Sequence, residues 1–259
     1  MARSRRMAPG IPDEEIGRLV ALLRDADSAE LKLSVPAADL RATATALALD
    51  PLDAQIRHVF FFDTPDLALD RHGLVVRARR SQKRADDTVV KLRPVVPSEL
   101  PARVRKAPGF KVEVDAMPGK FVCSGSMSRE LPATAVREVV SGAKPMRKLF
   151  SKEQRAFFDE HAPDGIGLGD LALLGPIFVL KLKSSPAGFP RKLVSELWLY
   201  PDGSHILELS TKCTPDEAFD VAAESRAFLA ERGVSLDGDQ ETKTRAALDF
   251  FARQLAAAG

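Results

Sequence analysis

Val75-Val-Arg77-Ala-Arg79 and, a little further on, Val89-Val-Lys91-Leu-Arg93 alternate aliphatic with charged residues. A β-strand turns successive side chains to opposite faces, so this period sends every charge to one side and every aliphatic group to the other. The pattern recurs in Glu30-Leu-Lys32-Leu-Ser34, Lys111-Val-Glu113-Val-Asp115 and Val179-Leu-Lys181-Leu-Lys183, and in a looser form in Leu207-Glu208-Leu-Ser-Thr-Lys212. A single strand of this kind is explained by an ionic face lying in water. Six in one chain call for a common arrangement. One option is an antiparallel sheet with helices on its aliphatic side and solvent on the other. The alternative is a sheet closed into a barrel, with the charges in its lumen and helices packed outside. The closed form has a chemical use: Lys and Arg converging on one lumen repel one another unless an anion neutralises them, and a few acids among them can hold a divalent cation beside that anion. A triphosphate with a metal ion fits that description.

The whole-chain composition is compatible with either arrangement. The 259 residues carry 38 Lys+Arg against 36 Asp+Glu, a formal charge of +2, which argues against a nucleic-acid coat or a polybasic membrane binder. Hydrophobic residues at 45% and charged residues at 29% are those of an ordinary globular chain and exclude intrinsic disorder as the main state. The longest uncharged apolar stretch, Leu171 to Leu180, is half of the roughly 20 residues a bilayer requires and contains Gly175 and Pro176. The basic start, MARSRRM, is followed by no apolar run, so a frayed arm and a cytoplasmic location are expected rather than secretion. Cys123 and Cys213 have no metal-ligand or CxxC spacing and read as small buried residues.

Helical patterns sit mainly at the ends and centre, giving an α+β class. Pro12 to Arg24 places Ile16, Leu19, Val20 and Leu23 on one face, and a second helix is expected over Ala37 to Leu49. Thr214-Pro-Asp-Glu217 is a capping box that starts a helix stopped by Gly233. A last helix is expected from about Glu241 to Ala257. Residues 1–25 are read as an arm and helix, and 26–259 as a single domain.

The chain resembles the CYTH, or triphosphate tunnel metalloenzyme, family. The resemblance rests on Glu30-Leu-Lys32, on Phe62-Asp-Thr-Pro-Asp-Leu-Ala-Leu-Asp-Arg-His-Gly73 leading into Arg77-Ala-Arg79, and on Val90-Lys91-Leu-Arg93. Arg155, Lys181, Lys183, Glu196 and Ile206-Leu-Glu208-Leu continue it, so that it spans roughly Ala29 to Phe250. It implies an eight-stranded antiparallel barrel around a charged tunnel. It also implies a divalent metal, Mg²⁺ or Mn²⁺, and a substrate drawn from inorganic triphosphate, polyphosphate or a nucleoside triphosphate. By resemblance Lys32, Arg77, Arg79, Lys91, Arg93, Arg155, Lys181 and Lys183 contact phosphate. Glu30, Glu196 and Glu208 hold metal, and Glu30 with Lys32 forms the catalytic pair.

Three acid pairs of the family pattern have each kept one member. The opening motif is Ser28-Ala-Glu30-Leu-Lys32, the middle pair is Glu196-Leu-Trp198 and the late pair is Glu208-Leu-Ser210. Fewer carboxylates weaken a hard cation's hold. Glu113 and Asp115 share a strand face with Lys111 and either supply the missing oxygens or form salt bridges there. Lys243, which the resemblance places near the tunnel mouth, is read instead as part of a solvated helix face. Three functions follow: a metal-dependent triphosphatase, placed first; a non-catalytic module binding polyphosphate or a nucleotide; and a cyclase making cyclic AMP, for which no base pocket is legible. Neither nucleic acid nor membrane is expected as a partner, and a homodimer is allowed.

Ser124-Gly-Ser-Met lacks the setting of a nucleophile elbow, and the four histidines form no ligand spacing. Arg77-Ala-Arg-Arg80 with Lys83 and Arg84 is a basic run without interleaved aromatics, diluted by Asp86-Asp87.

Overall fold

The computed structural model describes residues 13–235 and 243–258; the basic arm and the expected start of the last helix at Glu241 lie outside them. The strands are β1 (Ser28–Val35), β2 (Gln55–Asp63), β3 (Leu74–Ser81), β4 (Asp86–Leu92), β5 (Phe110–Met117), β6 (Lys120–Leu131), β7 (Ala172–Ser184), β8 (Leu193–Leu199) and β9 (His205–Cys213). They close into one barrel in the order β1-β5-β6-β4-β3-β2-β7-β8-β9. Each of the six alternating stretches lies on a strand, although Arg93 falls just past the end of β4.

The barrel corrects the expected eight antiparallel strands to nine in a mixed sheet. Strand directions can alternate all the way around a closed ring only if the number of strands is even. Nine strands force at least one parallel neighbour pair, and it falls between β1 and β5, where Ser28 stands beside Glu113 and Glu30 beside Asp115.

The helices are α1 (Asp13–Arg24), α2 (Leu40–Ala46), α3 (Ala68–Arg71), α4 (Ala102–Arg105), α5 (Ala135–Val140), α6 (Lys152–His161), α7 (Ala218–Glu231) and α8 (Lys243–Ala258). The outward aliphatic face of the wall is covered in two places. Val76, Ala78, Val90, Val112 and Val114 pack with Leu19 and Leu23 of α1 and Phe157 and Phe158 of α6. Leu33, Leu207 and Leu209 pack with Phe228 and Leu229 of α7. Gln154 pins α6 to the wall: its amide donates to the carbonyls of Thr88 (3.2 Å) and Met127 (3.0 Å), and its oxygen accepts from the Ser151 N–H (3.0 Å). The capping box read at Thr214 is present, with the Thr214 hydroxyl donating to Glu217 (2.7 Å), and a short 3₁₀ turn precedes α7.

A third core lies on the inner face. Register places Val59 opposite Arg79 and Phe61 opposite Arg77, so these apolar groups share the side that carries the charges. Val59, Phe61, Val75, Ile177, Val179 and Trp198 pack there against Ala247, Leu248 and Phe251 of α8. The last helix therefore caps one end of the barrel. At the other end the inner-face positions Lys111, Lys183 and Lys212 are exposed and rim the mouth.

The Phe-Asp-Thr-Pro stretch, the most distinctive part of the resemblance, builds a turn. The buried Asp63 carboxylate accepts the N–H groups of Thr64 (2.7 Å), Leu69 (2.9 Å) and Asp70 (3.0 Å), which orders α3. Gly73, at φ +73°, follows, and a Cβ there would lie 2.0 Å from the Arg93 carbonyl oxygen. Only glycine permits that approach. The turn sets the start of β3, and with it the direction of Arg77 and Arg79.

Candidate functional site

Cross-strand partners point the same way, so the register lists what enters the lumen. Glu30 and Lys32 enter from β1, Arg57 from β2, Arg77 and Arg79 from β3, Asp87 and Lys91 from β4, and Glu113 and Asp115 from β5. Lys181 enters from β7, Glu196 from β8 and Glu208 from β9. Ser124 and Ser126 of β6 lie on the same face, opposite Glu113 and Lys111. Their small side chains leave room where longer ones face them.

Around the β1/β5 seam, Asp115 receives Lys32 at 2.7 Å and Lys91 at 3.2 Å, Glu30 lies 3.2 Å from Lys32, and Glu113 pairs with Lys212. Burial favours a neutral Asp115, but Lys91 and Lys32 outweigh it and hold the carboxyl well below its usual range. Burial likewise opposes the charge on Lys32, yet Asp115, Glu30 and Glu208 lift its pKa above the ordinary value. Lys91 is shifted the other way: burial dominates, and the more distant Asp115 only partly offsets it. One oxygen each of Glu30, Glu113 and Asp115 lies within 4.8 Å of the others, a set able to hold a divalent cation.

Across the lumen, Glu196 receives Lys181 at 2.8 Å and Arg57 at 3.8 Å. Lys243 of α8 bridges Glu196 to Glu208, lying 2.7 Å from the latter, and its ammonium sits 5.2 Å from the Trp198 ring centroid. Burial favours a neutral Glu196, but Lys243 and Lys181 hold it well below its usual range. The carboxylates of Glu196 and Glu208 thus meet around a lysine, while Glu30 groups with the seam acids. Lys243 belongs to the lumen rather than to a solvated face. Replacing it with Ala leaves Glu208 facing Glu196 without the bridging cation; stability is expected to fall by about 2 kcal/mol and to recover in part with Mg²⁺. Urea unfolding with and without Mg²⁺ measures both, and an unchanged midpoint would make the lysine a bystander.

Between these groups Arg79 pairs with Asp87 at 2.9 Å. Arg77 has no hydrogen-bonding partner among the described residues, and its Nε is buried. Burial and the neighbouring Arg79 push its pKa down to about 10. Burial, then Arg79, also lowers Arg57.

The other expected phosphate contacts are placed as follows. Arg93 lies beyond the end of β4, its backbone N–H on the Gly73 carbonyl (2.9 Å). Lys183 stands at the exposed mouth. Arg155 is carried by α6 outside the wall, donates to the Phe150 carbonyl at 2.6 Å, and lines an external cavity of about 620 Å³ with Lys144 and Arg147. The lumen does not gather it. Arg57 and Asp87 are lumen residues that sequence reading missed. Asp86 and Asp87 point to opposite faces, Asp86 accepting the Val136 N–H at 3.1 Å outside, so only strand parity could have separated them.

No protein-family model matches the chain, and no curated protein matches it. Solved structures do. A candidate adenylate cyclase of Bacillus halodurans is 15% identical over 84% of this chain and 95% of its own, with a TM-score of 0.58. The candidate adenylyl cyclase HpAC1 of Hippeastrum, described as having a dominant triphosphatase activity, is 20% identical over 85% of this chain and 95% of its own, also at a TM-score of 0.58. At these identities the likeness establishes the fold, which agrees with the triphosphate-tunnel barrel that the sequence resemblance implied. Among the described residues no helix is long and apolar enough to cross a membrane.

Proposed function

We propose that the protein binds a triphosphate chain in the barrel lumen and hydrolyses it with the help of Mg²⁺ or Mn²⁺. Arg77 carries this reading: a guanidinium turned into a lumen, buried at Nε and without a hydrogen-bonding partner among the described residues, is a site that an anion completes. Arg57, Arg79, Lys91 and Lys181 surround the same space and supply charge along an extended phosphate chain. Arginine forks hold two oxygens each, whereas the lysines act as point charges.

The donor set of Glu30, Glu113 and Asp115 fits a hard divalent cation, which takes oxygen ligands. Such an ion polarises phosphoryl oxygens and draws charge from the bond being broken. The protein's own share is to hold the chain in line and offset the charge that develops on the transferring group, which is the task of Arg77 and Arg79. Lys32, fixed by Glu30 and Asp115, extends the positive wall to the cation. We assign Glu30, which stands among the cation donors and 3.2 Å from Lys32, to orienting the attacking water.

One observation favours a second reading, binding without turnover: the lumen acids are engaged by lysines, Glu196 and Glu208 by Lys243 and Asp115 by Lys32 and Lys91. Phosphate release from inorganic tripolyphosphate and from ATP, with Mg²⁺, with Mn²⁺ and with chelator, separates the two. We expect metal-dependent release that Glu30→Gln lowers by about tenfold or more. Thermal stabilisation by tripolyphosphate with no release would leave a binding module, and the absence of both stabilisation and release would remove the tunnel from consideration.

A further inference from the structure

The outer wall carries a second basic feature that the tunnel does not use. His58 is the register partner of both Arg80 and Phe178, so β3, β2 and β7 present Arg80, His58 and Phe178 in a row on the outside of the barrel. With strands about 4.8 Å apart, the row is about 10 Å long. His58 meets Phe178 edge to face, with centroids 4.5 Å apart. Phe178 is 49% exposed, and the outward Ile56 of β2 and Leu199 of β8 beside it are exposed as well, whereas outward groups elsewhere on the wall lie beneath α1, α6 and α7.

Beside the row opens a cavity of about 670 Å³, lined by His58, Arg80, Lys83, Arg84 and Asp86. Among the described residues its cations outnumber its acids, Arg80, Lys83 and Arg84 standing against Asp86 alone. Arg80 has a buried Nε without a hydrogen-bond partner. Among the described residues, Arg80, Lys83 and Arg84 form no side-chain ion pair. Asp86, the one acid, is 1% exposed and faces the Val136 N–H at 3.1 Å. Lys83 is held at φ +56°, a left-handed conformation that a non-glycine residue rarely adopts. Burial and Arg80 lower the pKa of His58, which favours a neutral ring beside Phe178.

We propose that this outer pocket binds a nucleoside phosphate, with its phosphate against Arg80, Lys83 and Arg84 and its base over Phe178 and His58. Guanidinium groups without ion-pair partners select phosphate, and the exposed Phe178, next to the lining residue His58 in the same row, selects a planar ring. A single nucleotide suits the row better than a nucleic-acid strand, because among the described residues Phe178 is the one exposed phenylalanine in the row and successive bases need successive platforms. The site is independent of the tunnel function proposed above.

The test is calorimetric titration of the full chain with adenosine monophosphate, inorganic phosphate and a short single-stranded oligonucleotide, repeated on Arg77→Met to silence the tunnel. The monophosphate is expected to bind wild type and Arg77→Met alike. Arg80→Ala should weaken it roughly tenfold, the loss of one charge-assisted contact. Phe178→Ala should weaken the nucleotide while leaving inorganic phosphate unaffected. Lys83→Ala, at an exposed turn, provides a second variant should Arg80→Ala fail to fold. The proposal is overturned by an absence of nucleotide binding, by its loss in Arg77→Met, by indifference to Phe178→Ala together with Arg80→Ala or Lys83→Ala, or by an oligonucleotide that binds where the mononucleotide does not.

Discussion

Arg77→Met is expected to abolish most triphosphate turnover while making the ligand-free protein harder to unfold. These opposite effects have one cause. In the free protein the guanidinium is turned into the lumen beside Arg79, with Nε buried and no hydrogen-bonding partner among the described residues, so burial and Arg79 weigh against its charge and Asp87 and Glu196 offset them only in part. A thioether of similar length removes an unsatisfied buried group, a gain of about 1–3 kcal/mol. With the anion present the balance reverses. The same guanidinium then faces the developing phosphoryl charge, and its removal should lower kcat/KM by about 10²–10³-fold, as when one preorganised donor is deleted from an active site. Because the folded pKa is depressed to about 10, wild type should also gain stability as pH rises above that value, and Arg77→Met should lack this gain. Urea unfolding with and without tripolyphosphate, alongside initial rates, reads each part. A variant that loses stability and keeps its activity would show Arg77 to be an ordinary structural cation.

Asp115→Asn should act in the other direction on the fold. Asp115 is 3% exposed and is the shared partner of Lys32 and Lys91. Neutralising it leaves two half-buried ammonium groups facing each other, and breaking a buried pair in this way costs about 3–5 kcal/mol. Since the folded pKa lies below the unfolded one, the contribution of Asp115 is present above the ordinary carboxyl range and is lost as pH falls through the folded value. Wild type should therefore lose stability below about pH 4 in a way the variant does not. Tripolyphosphate should restore part of the deficit, because an anion can take the place of the missing carboxylate between the two lysines. Full stability in the variant at neutral pH would show that the lysines swing to solvent when released.

Much of the lumen was legible because a period of two is hard to mistake where one face is ionic throughout. The reading failed where the inner face stops being ionic. On β2, Val59 and Phe61 point inward while Phe60 and Phe62 point outward, so both faces are buried and the strand shows no alternation, which hid Arg57. The cause is α8, whose apolar face requires apolar partners at that end of the barrel. Its docking also decides the role of Lys243. Helical periodicity shows which residues share a stripe, but it does not say that the first residue of the helix reaches two carboxylates on β8 and β9. The expected eight strands came from the resemblance, while the alternation itself marked six; of the three it did not mark, β6, with Ser124-Gly-Ser at its centre, offers small groups on its inner face where the marked strands offer charges.

The parallel seam between β1 and β5 also bears on how the protein comes to be folded. β1 bonds on one side to a strand from the middle of the chain and on the other to β9, where the Cys213 thiol meets the Ala29 carbonyl across 184 positions of sequence. Contacts so distant in sequence carry a large loop-closure entropy, and chains dominated by them cross their folding barrier slowly. Glu30, Lys32, Glu113 and Asp115 stand on the two sides of that seam, so the cation set does not exist until the ring is joined. A ligand of this set binds only the native state, and by mass action it stabilises the closed ring without having helped to form it.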